Sequence, residues 1–446
     1  MIERVPAAGG VRTVPAPDPI ARDYLRLVLR LDQHRPGLVD AYYGPADLKA
    51  ATDMEAIRPP AALADDAVAL RERLPTEVDD PERREWLRAQ LVALEAQARE
   101  TAGEAIPYEA LVARYFDQAM SRVDDAIFRA AAADLDACLP GAGPLDERLA
   151  AWDATLTIEP ERVPVAADHL MAMFRARAGR LFGLPEGEAA RISMVRERPW
   201  SGYNWYEGGR RSRVELNLDL PVQAGSLLHT VAHETYPGHH LEASTKEARQ
   251  VEGGGRTELT LLSINTPECL IHEGLADLGY RFAVPPGEEV DLLVELFGIA
   301  RLAVAADAGA ARATATTQAA AGRARRVLRG IGGNAALLRH VDGRSRAETV
   351  DYLVTVGRQA PARAEQQLDF IEHPLWRTYV FVYREGERLL ARWLEGVPEG
   401  SRAERFGRLL AEARSPSSIV GELATEPATT RSAGPAAEIR PPSGTP

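Results

Sequence analysis

Apolar residues recur every three or four positions through most of this chain, a spacing typical of helices that bury one face. Residues 20–35 show the pattern clearly, because Tyr24, Val28 and Leu31 share one face before Pro36 and Gly37 end the segment. The same spacing predicts helices over residues 61–74, 82–99, 108–137, 145–157 and 164–184. We therefore expect a helical half over residues 17–184.

The pattern changes to alternation in one region. Residues 191–196 and 211–220 alternate apolar and polar side chains, and Glu207-Gly208-Gly209 between them suits a turn. Helical spacing returns from residue 222 to about 394. The prediction is a mainly α fold with a small β-hairpin or sheet: one large domain over residues 17–413, with a second half at 185–413. Residues 1–16 read as a loose leader and residues 414–446 as a disordered tail.

Charge and composition exclude several classes of protein. The 53 basic residues against 65 acidic ones give a net charge of −12, which argues against nucleic-acid binding. No apolar signal-peptide core and no uncharged stretch of about 20 residues is found, so we expect a cytoplasmic protein with no membrane partner. The two cysteines, Cys138 and Cys269, form no paired motif.

Five of the nine histidines lie within the 44 residues from His229 to His272. His233-Glu234 begins like the zinc motif HExxH, but Pro237 stands where the second histidine should be. On an uninterrupted helix neither the sixth nor the seventh residue after His233 could share its metal ion. Pro237-Gly238 could break the helix and return a histidine to the site. We favour His239 as the second ligand and keep His240 as the alternative.

A carboxylate on a neighbouring helix should complete such a site. Glu273 in the segment IHEGLAD fits, and Asp277 lies one turn further on the same face, where it could orient a ligand histidine. Two histidines and one carboxylate leave an open position for water, and Glu234 would act as general base. His229 is expected to support the site from outside the ligand set. His272 should point elsewhere because it adjoins Glu273.

The blocks HETYPGHH and HEGLAD, preceded by NWYEGGRRSRVELN, resemble the bacterial domain-of-unknown-function 885 family. That family looks like a divergent relative of the gluzincin zinc metallopeptidases. The resemblance is strongest over residues 191–280 and extends over about 23–396. It implies a large helical metallopeptidase-like fold with its site in a deep cleft, with His233, His239 and Glu273 as ligands and Glu234 as base. It implies no particular substrate.

The resemblance also suggests residues around the metal. Gluzincins add a late tyrosine or histidine that stabilises the oxyanion, and Tyr383 matches best, with His373 and Tyr379 as rivals. Arg384 could bind a substrate carboxylate. Asn217 and Tyr203, on or near the hairpin, could contact an extended substrate.

The leading hypothesis is a hydrolase of amide or peptide bonds that uses one divalent metal ion, Zn²⁺ by preference. Its partner would be a small peptide or an amide-containing small molecule. One alternative uses the same two histidines and carboxylate for Fe(II) oxygen chemistry. The other is a helical binding protein without metal.

Overall fold

The computed structural model describes residues 14–198 and 200–425. Helix accounts for 66% of the structure and strand for 7%, which confirms the mainly α fold class. The predicted leader falls almost entirely outside the described residues. No helix in the described ranges is long and apolar enough to cross a membrane.

The first helices pack by the faces that their apolar spacing predicts. The helices of this half are α1 (Pro19–His34), α2 (Ala46–Asp53), α3 (Pro60–Glu77), α4 (Pro81–Thr101), α5 (Tyr108–Phe116), α6 (Asp125–Cys138), α7 (Leu145–Thr155) and α8 (Val163–Phe182). Asp18 and Asp80 cap α1 and α4 by accepting hydrogen bonds from backbone N–H groups of the first turn. The single helix predicted over 108–137 is wrong, because α5 ends at Phe116 and the next residue, Asp117, has a left-handed φ of 50°.

Two small sheets accompany the helices. The strands are β1 (Val39–Tyr42), β2 (Ala189–Val195), β3 (Gly202–Gly208), β4 (Arg211–Asn217) and β5 (Leu261–Ser263). The hairpin predicted around Glu207-Gly208-Gly209 is confirmed, because β3 and β4 pair antiparallel on either side of this turn. Strand β2 lies parallel on the other side of β4, so β3 is an edge strand. The antiparallel pair of β1 and β5 was not predicted.

The second half surrounds the hairpin with further helices. They are α9 (Ala224–Glu234), α10 (His239–Lys246), α11 (Pro267–Ala283), α12 (Glu289–Ala300), α13 (Ala308–Arg329), α14 (Ile331–His340), α15 (Arg346–Thr355), α16 (Pro361–Glu372), α17 (Val382–Glu395), α18 (Arg402–Ala411) and α19 (Pro416–Thr425). Helices α11 and α17 cross at a pair of glycines. A Cβ on Gly274 would lie 2.3 Å from the carbonyl carbon of Gly386, so only hydrogen fits there.

The predicted tail begins too early. Residues 416–425 form α19, where Ile419 is fully buried and Glu422 accepts a 2.8 Å hydrogen bond from Trp393 Nε1. The backbone N–H of Ser417 also donates to Asp117 Oδ2 over 2.9 Å. The prediction of disorder from residue 414 is therefore wrong for residues 416–425, because α19 packs on the core. The remainder, 426–446, lies outside the described residues.

Candidate metal centre

The chain bends sharply between α9 and α10, and this bend brings two histidines together. Helix α9 ends at Glu234, the Tyr236–Pro237 peptide is cis, and α10 begins at His239. Gly238 packs directly on the end of α9: a Cβ there would lie 1.8 Å from the His233 carbonyl oxygen. The absence of a side chain at Gly238 is what allows His239 to return to His233.

His233, His239 and Glu273 offer nitrogen and oxygen atoms that lie within 4.8 Å of one another. Glu273 Oε2 is 3.4 Å from His233 Nε2 and 3.8 Å from His239 Nε2. Ligand atoms about 2.0–2.2 Å from a tetrahedral Zn²⁺ are separated by roughly 3.3 Å, close to these distances. Glu273 Oε2 is also buried without a hydrogen-bond partner. The three residues therefore fit a divalent metal ion.

Surrounding carboxylates make the cluster favour positive charge. His233 Nδ1 lies 3.1 Å from Asp277 Oδ1, which leaves Nε2 facing Glu273. Burial alone would lower the pKa of His233, but Asp277 and Glu273 raise it well above its ordinary value. A proton or a metal ion at this position would supply the charge that these carboxylates favour. Burial lowers the pKa of His239 well below its ordinary value, so its imidazole is neutral, the form that binds metals.

Two further residues lie beside the cluster. His229 Nε2 lies 3.2 Å from Asp277 Oδ1, and burial lowers the pKa of His229 to about 4. Tyr379 donates a 2.7 Å hydrogen bond to Glu273 Oε1, the oxygen that faces away from the histidines. Asp277 and His229 thus lie where the sequence predicted supporting residues, and Tyr379 joins them.

Glu234 follows His233 at the end of α9 and is only 8% exposed. Its carboxylate forms no hydrogen bond within the described parts of the chain. Burial raises the pKa of Glu234 to about 7, and the negative charge of Glu273 contributes to the rise. Asn204 on β3 donates a 2.6 Å hydrogen bond to the Glu234 carbonyl oxygen and ties the edge strand to this end of α9. The carboxylate is thus suited to exchange a proton near neutral pH.

His240 does not reach the cluster, so the alternative ligand is wrong. Its Nε2 lies 2.8 Å from Glu188 Oε2 and its Nδ1 lies 2.8 Å from Ser212 Oγ. Consecutive side chains on a helix point about 100° apart, which sends His239 towards His233 and His240 towards the sheet.

His272 is closer to the site than its position beside Glu273 suggested. Its ring stacks on His239 with 3.8 Å between centroids, and its Nδ1 lies 2.6 Å from Glu242 Oε2. Two further groups among the described residues have ligand atoms within 4.8 Å of one another, one formed by His229, His233 and Asp277 and the other by His239, Glu242 and His272. Lys246 already supplies positive charge there, because its Nζ lies 2.7 Å from Glu242 Oε1. This group is therefore an ion-pair network beside the metal centre.

Two of the predicted substrate-binding residues are already engaged by the protein. Asn217 is 3% exposed, and its amide donates to the carbonyl oxygens of Arg198 and Trp200 over 2.9 and 3.0 Å. The Arg384 guanidinium pairs with Glu385, and its stem packs against Gly330. The Asn217 prediction is wrong, because its buried amide holds local structure. The substrate contact of Arg384 stays a prediction, because its side chain is partly exposed.

Tyr379 and Tyr383 lie nearer to the three-residue cluster than Asn217 and Arg384 do. Tyr383 is 42% exposed, and its ring centroid is 6.5 Å from that of His233. His373 accepts a 3.2 Å hydrogen bond from the Leu375 backbone N–H and contacts none of the proposed ligands. Tyr203 donates a hydrogen bond to Asp40, a residue of β1 that sequence reasoning missed. Glu188 and Glu242 were also missed. Asp40 lies in a four-residue strand and Glu188 lies in a loop, so neither carries a periodic signal. Glu242 lies in α10, where an acidic side chain looks like any other polar helix residue.

No known family model and no curated protein sequence matches the chain. A candidate lipoprotein from Colwellia psychrerythraea shares the fold, with a TM-score of 0.51 and 13% identity over 81% of this chain and 66% of its own. The present chain thus spans just under two thirds of that protein. A candidate lipoprotein of unknown function from Shewanella oneidensis gives a TM-score of 0.46 at 11% identity, covering 90% of this chain and 82% of its own. An M32 carboxypeptidase from Deinococcus radiodurans R1 gives 0.33 at 12% identity, covering 92% and 98%.

Proposed function

We propose that this protein is a zinc-dependent hydrolase that cleaves an amide or peptide bond. The observation that carries the proposal is the convergence of His233 Nε2, His239 Nε2 and Glu273 Oε2 beside the unpaired carboxylate of Glu234. Structural zinc sites are closed by four protein ligands, whereas three protein ligands leave a position open for chemistry. The ligand set therefore favours a catalytic centre.

The residues divide the work between metal binding and proton transfer. A bound Zn²⁺ would supply Lewis acidity and lower the pKa of a water molecule. Glu234 would take a proton on its carboxylate and pass it to the leaving nitrogen, which requires a pKa near the working pH. Burial raises the pKa of this group to about 7 in the metal-free protein, and a bound Zn²⁺ would lower it from there.

Tyr383 is the group that we propose for stabilising the oxyanion. Tyr379 is engaged by Glu273, whereas Tyr383 is partly exposed beside His233 and its hydroxyl forms no hydrogen bond within the described residues. Strand β3 supports a peptide substrate, because an edge strand can pair with an extended chain and Asn204 fixes this one beside Glu234. The substrate proposed is a small peptide or an amide-containing small molecule.

The blocks HETYPGHH and HEGLAD, on which the resemblance to the domain-of-unknown-function 885 family rests, carry the three proposed ligands and Glu234. We also propose that the protein works in the cytoplasm, where the two free cysteines, Cys138 and Cys269, would remain reduced.

Glu234→Gln tests the proposal. The variant should retain stoichiometric zinc, measured by elemental analysis, and lose hydrolysis of a fluorogenic peptide library. Glu215→Gln is the matched control, because Glu215 is also buried but pairs with Arg213 on the sheet. Activity at the wild-type level in Glu234→Gln would refute the general base. Stoichiometric iron would support the oxygenase alternative, and no metal with no metal-induced rise in Tm would support the binding protein.

A further inference from the structure

The segment that carries His239 is fastened at both ends to one buried carboxylate. Tyr236 and His240 both hydrogen-bond Glu188 Oε2, and the distance from His240 Nε2 is 2.8 Å. Tyr236 is 1% exposed, His240 is fully buried, and the Glu188 side chain is 1% exposed. Glu188 therefore bridges the residues on either side of the bend.

Glu188 is itself held from the opposite direction. Arg175 on α8 donates a 2.8 Å hydrogen bond from Nε to Glu188 Oε1, the oxygen that the bend does not use. Burial alone would raise the pKa of Glu188, but His240 and Tyr236 lower it, so the group is a carboxylate. His240 can donate from Nε2 to this carboxylate while Nδ1 accepts from Ser212 on β4. The bend is thereby anchored to both α8 and the sheet.

The anchoring fixes the direction in which His239 points. Successive side chains on a helix are separated by about 100°, so holding His240 against Glu188 sets the rotation of the first turn of α10. The Leu241 N–H also donates to the Thr235 carbonyl over 3.2 Å and closes the bend. With that rotation, His239 Nε2 lies 3.8 Å from Glu273 Oε2. Neither Glu188 nor His240 belongs to the ligand group.

We propose that Glu188 is a positioning residue for the metal ligand His239, acting through His240 and Tyr236. The inference rests on the proposed function, because it requires that the three-residue cluster bind a metal ion. Removing the charge of Glu188 should leave the fold in place but release the bend, so that the second histidine no longer meets the metal at the correct distance. Outer residues that orient ligands typically affect metal affinity by about 10–100-fold.

The test compares Zn²⁺ affinity and ligand geometry in Glu188→Gln and Tyr236→Phe. Zn²⁺ dissociation constants would be measured by chelator competition, and the visible absorption of the Co²⁺-substituted protein reports the geometry around the metal. Glu188→Gln should weaken Zn²⁺ binding by about 10–100-fold and shift the Co²⁺ bands. Tyr236→Phe, which removes one of the two donors, should change both in the same direction by less.

Glu100→Gln is the matched control. Glu100 is a carboxylate that also bonds a tyrosine and arginines, Tyr115 at 2.5 Å and Arg35 at 2.6 Å, with Arg377 as a third partner. It should lower Tm without changing Zn²⁺ affinity or the Co²⁺ spectrum.

Three results would overturn the inference. Zn²⁺ affinity within about twofold of wild type in Glu188→Gln, with an unchanged Co²⁺ spectrum, would show that Glu188 only stabilises the fold. An equal loss of Zn²⁺ affinity in Glu100→Gln would also show that Glu188 acts only through the stability of the fold. If Glu188→Gln does not fold, Tyr236→Phe decides by the same criteria. Failure of the wild-type protein to bind any metal would overturn the proposed function as well, which separates that result from the other two.

Discussion

The close contact at Gly238 gives a sharp prediction. In Gly238→Ala the new methyl carbon would lie 1.8 Å from the His233 carbonyl oxygen and 2.6 Å from that of Ala232, whereas real Cβ contacts essentially never fall below 3.0 Å. All of these neighbours are backbone atoms, which cannot rotate away. The bend or the end of α9 must therefore move by about 1.2 Å, the difference between 3.0 and 1.8 Å.

A movement of that size is several times what a metal site tolerates, since bond lengths must hold to within about 0.2 Å. Gly238→Ala should therefore weaken Zn²⁺ binding by at least about 100-fold, while overpacking costs about 1–3 kcal/mol of folding free energy. Zn²⁺ affinity would be measured by chelator competition and folding by circular dichroism and thermal melting.

Gly279→Ala is the control for this experiment. A Cβ at Gly279 would meet its nearest neighbours, atoms of Pro237, at 3.4 Å, which is ordinary van der Waals contact. This variant packs against the same bend and should bind Zn²⁺ as the wild type does. Zn²⁺ affinity within about threefold of wild type in a folded Gly238→Ala would refute the reasoning, because the bend would then have room that the structure does not show.

Three more predictions concern the surroundings of the site. Asp277→Asn removes the carboxylate beside His233 Nδ1, and Zn²⁺ affinity should fall by about 10–100-fold; an unchanged dissociation constant would contradict the supporting role. Tyr379→Phe removes one hydrogen bond to Glu273 and should cost about 1–2 kcal/mol of Zn²⁺ binding, measured by calorimetry, with no effect if that oxygen is solvated instead. Burial alone would raise the pKa of Glu242, but its cationic partners lower this pKa from 4.5 to about 2. The ionised Glu242 should therefore stabilise the metal-free protein by about 3 kcal/mol above pH 4.5, and by progressively less as the pH falls towards 2. The unfolding free energy of Glu242→Gln should depend less on pH in this range, and parallel curves for variant and wild type would exclude the contribution.

The long helices were predictable because their cores are built from periodic local sequence. Helix α1 spans Pro19–His34, against a prediction of residues 20–35, since its apolar stripe and the following proline both mark its end. The pairing of β1 with β5 was not predictable in this way. Val39 faces Ser263 across more than two hundred residues of chain, and strands of four and three residues carry no periodicity of their own.

The grouping of His233, a second histidine and Glu273 was predictable from residue type and order, whereas the sequence could only favour His239 over His240. That choice depends on how α10 is rotated about its axis. The buried contact that goes with this rotation, between His240 and Glu188, joins residues that are far apart in the sequence. Asn217 illustrates the opposite error. A polar residue at the end of a strand near the site suggested substrate binding, but its amide closes the connection between β2 and β3. Residue type identifies which groups can bind a metal ion or form a hydrogen bond, and packing decides which partner each group contacts.

The glycine contact between α11 and α17 sets how closely the helix that carries Glu273 approaches the helix that carries Tyr383. Gly274 follows the ligand Glu273 directly, and Gly386 lies one turn beyond Tyr383 on the opposite helix. A methyl group on either glycine would force the two helices apart, and Tyr383 would move away from His233 while the ligand atoms stayed on their own helices. Helix spacing is thus a variable separate from the ligand set. In this chain, the spacing between α11 and α17 would set the size of the group that fits beside Tyr383, without altering His233, His239 or Glu273.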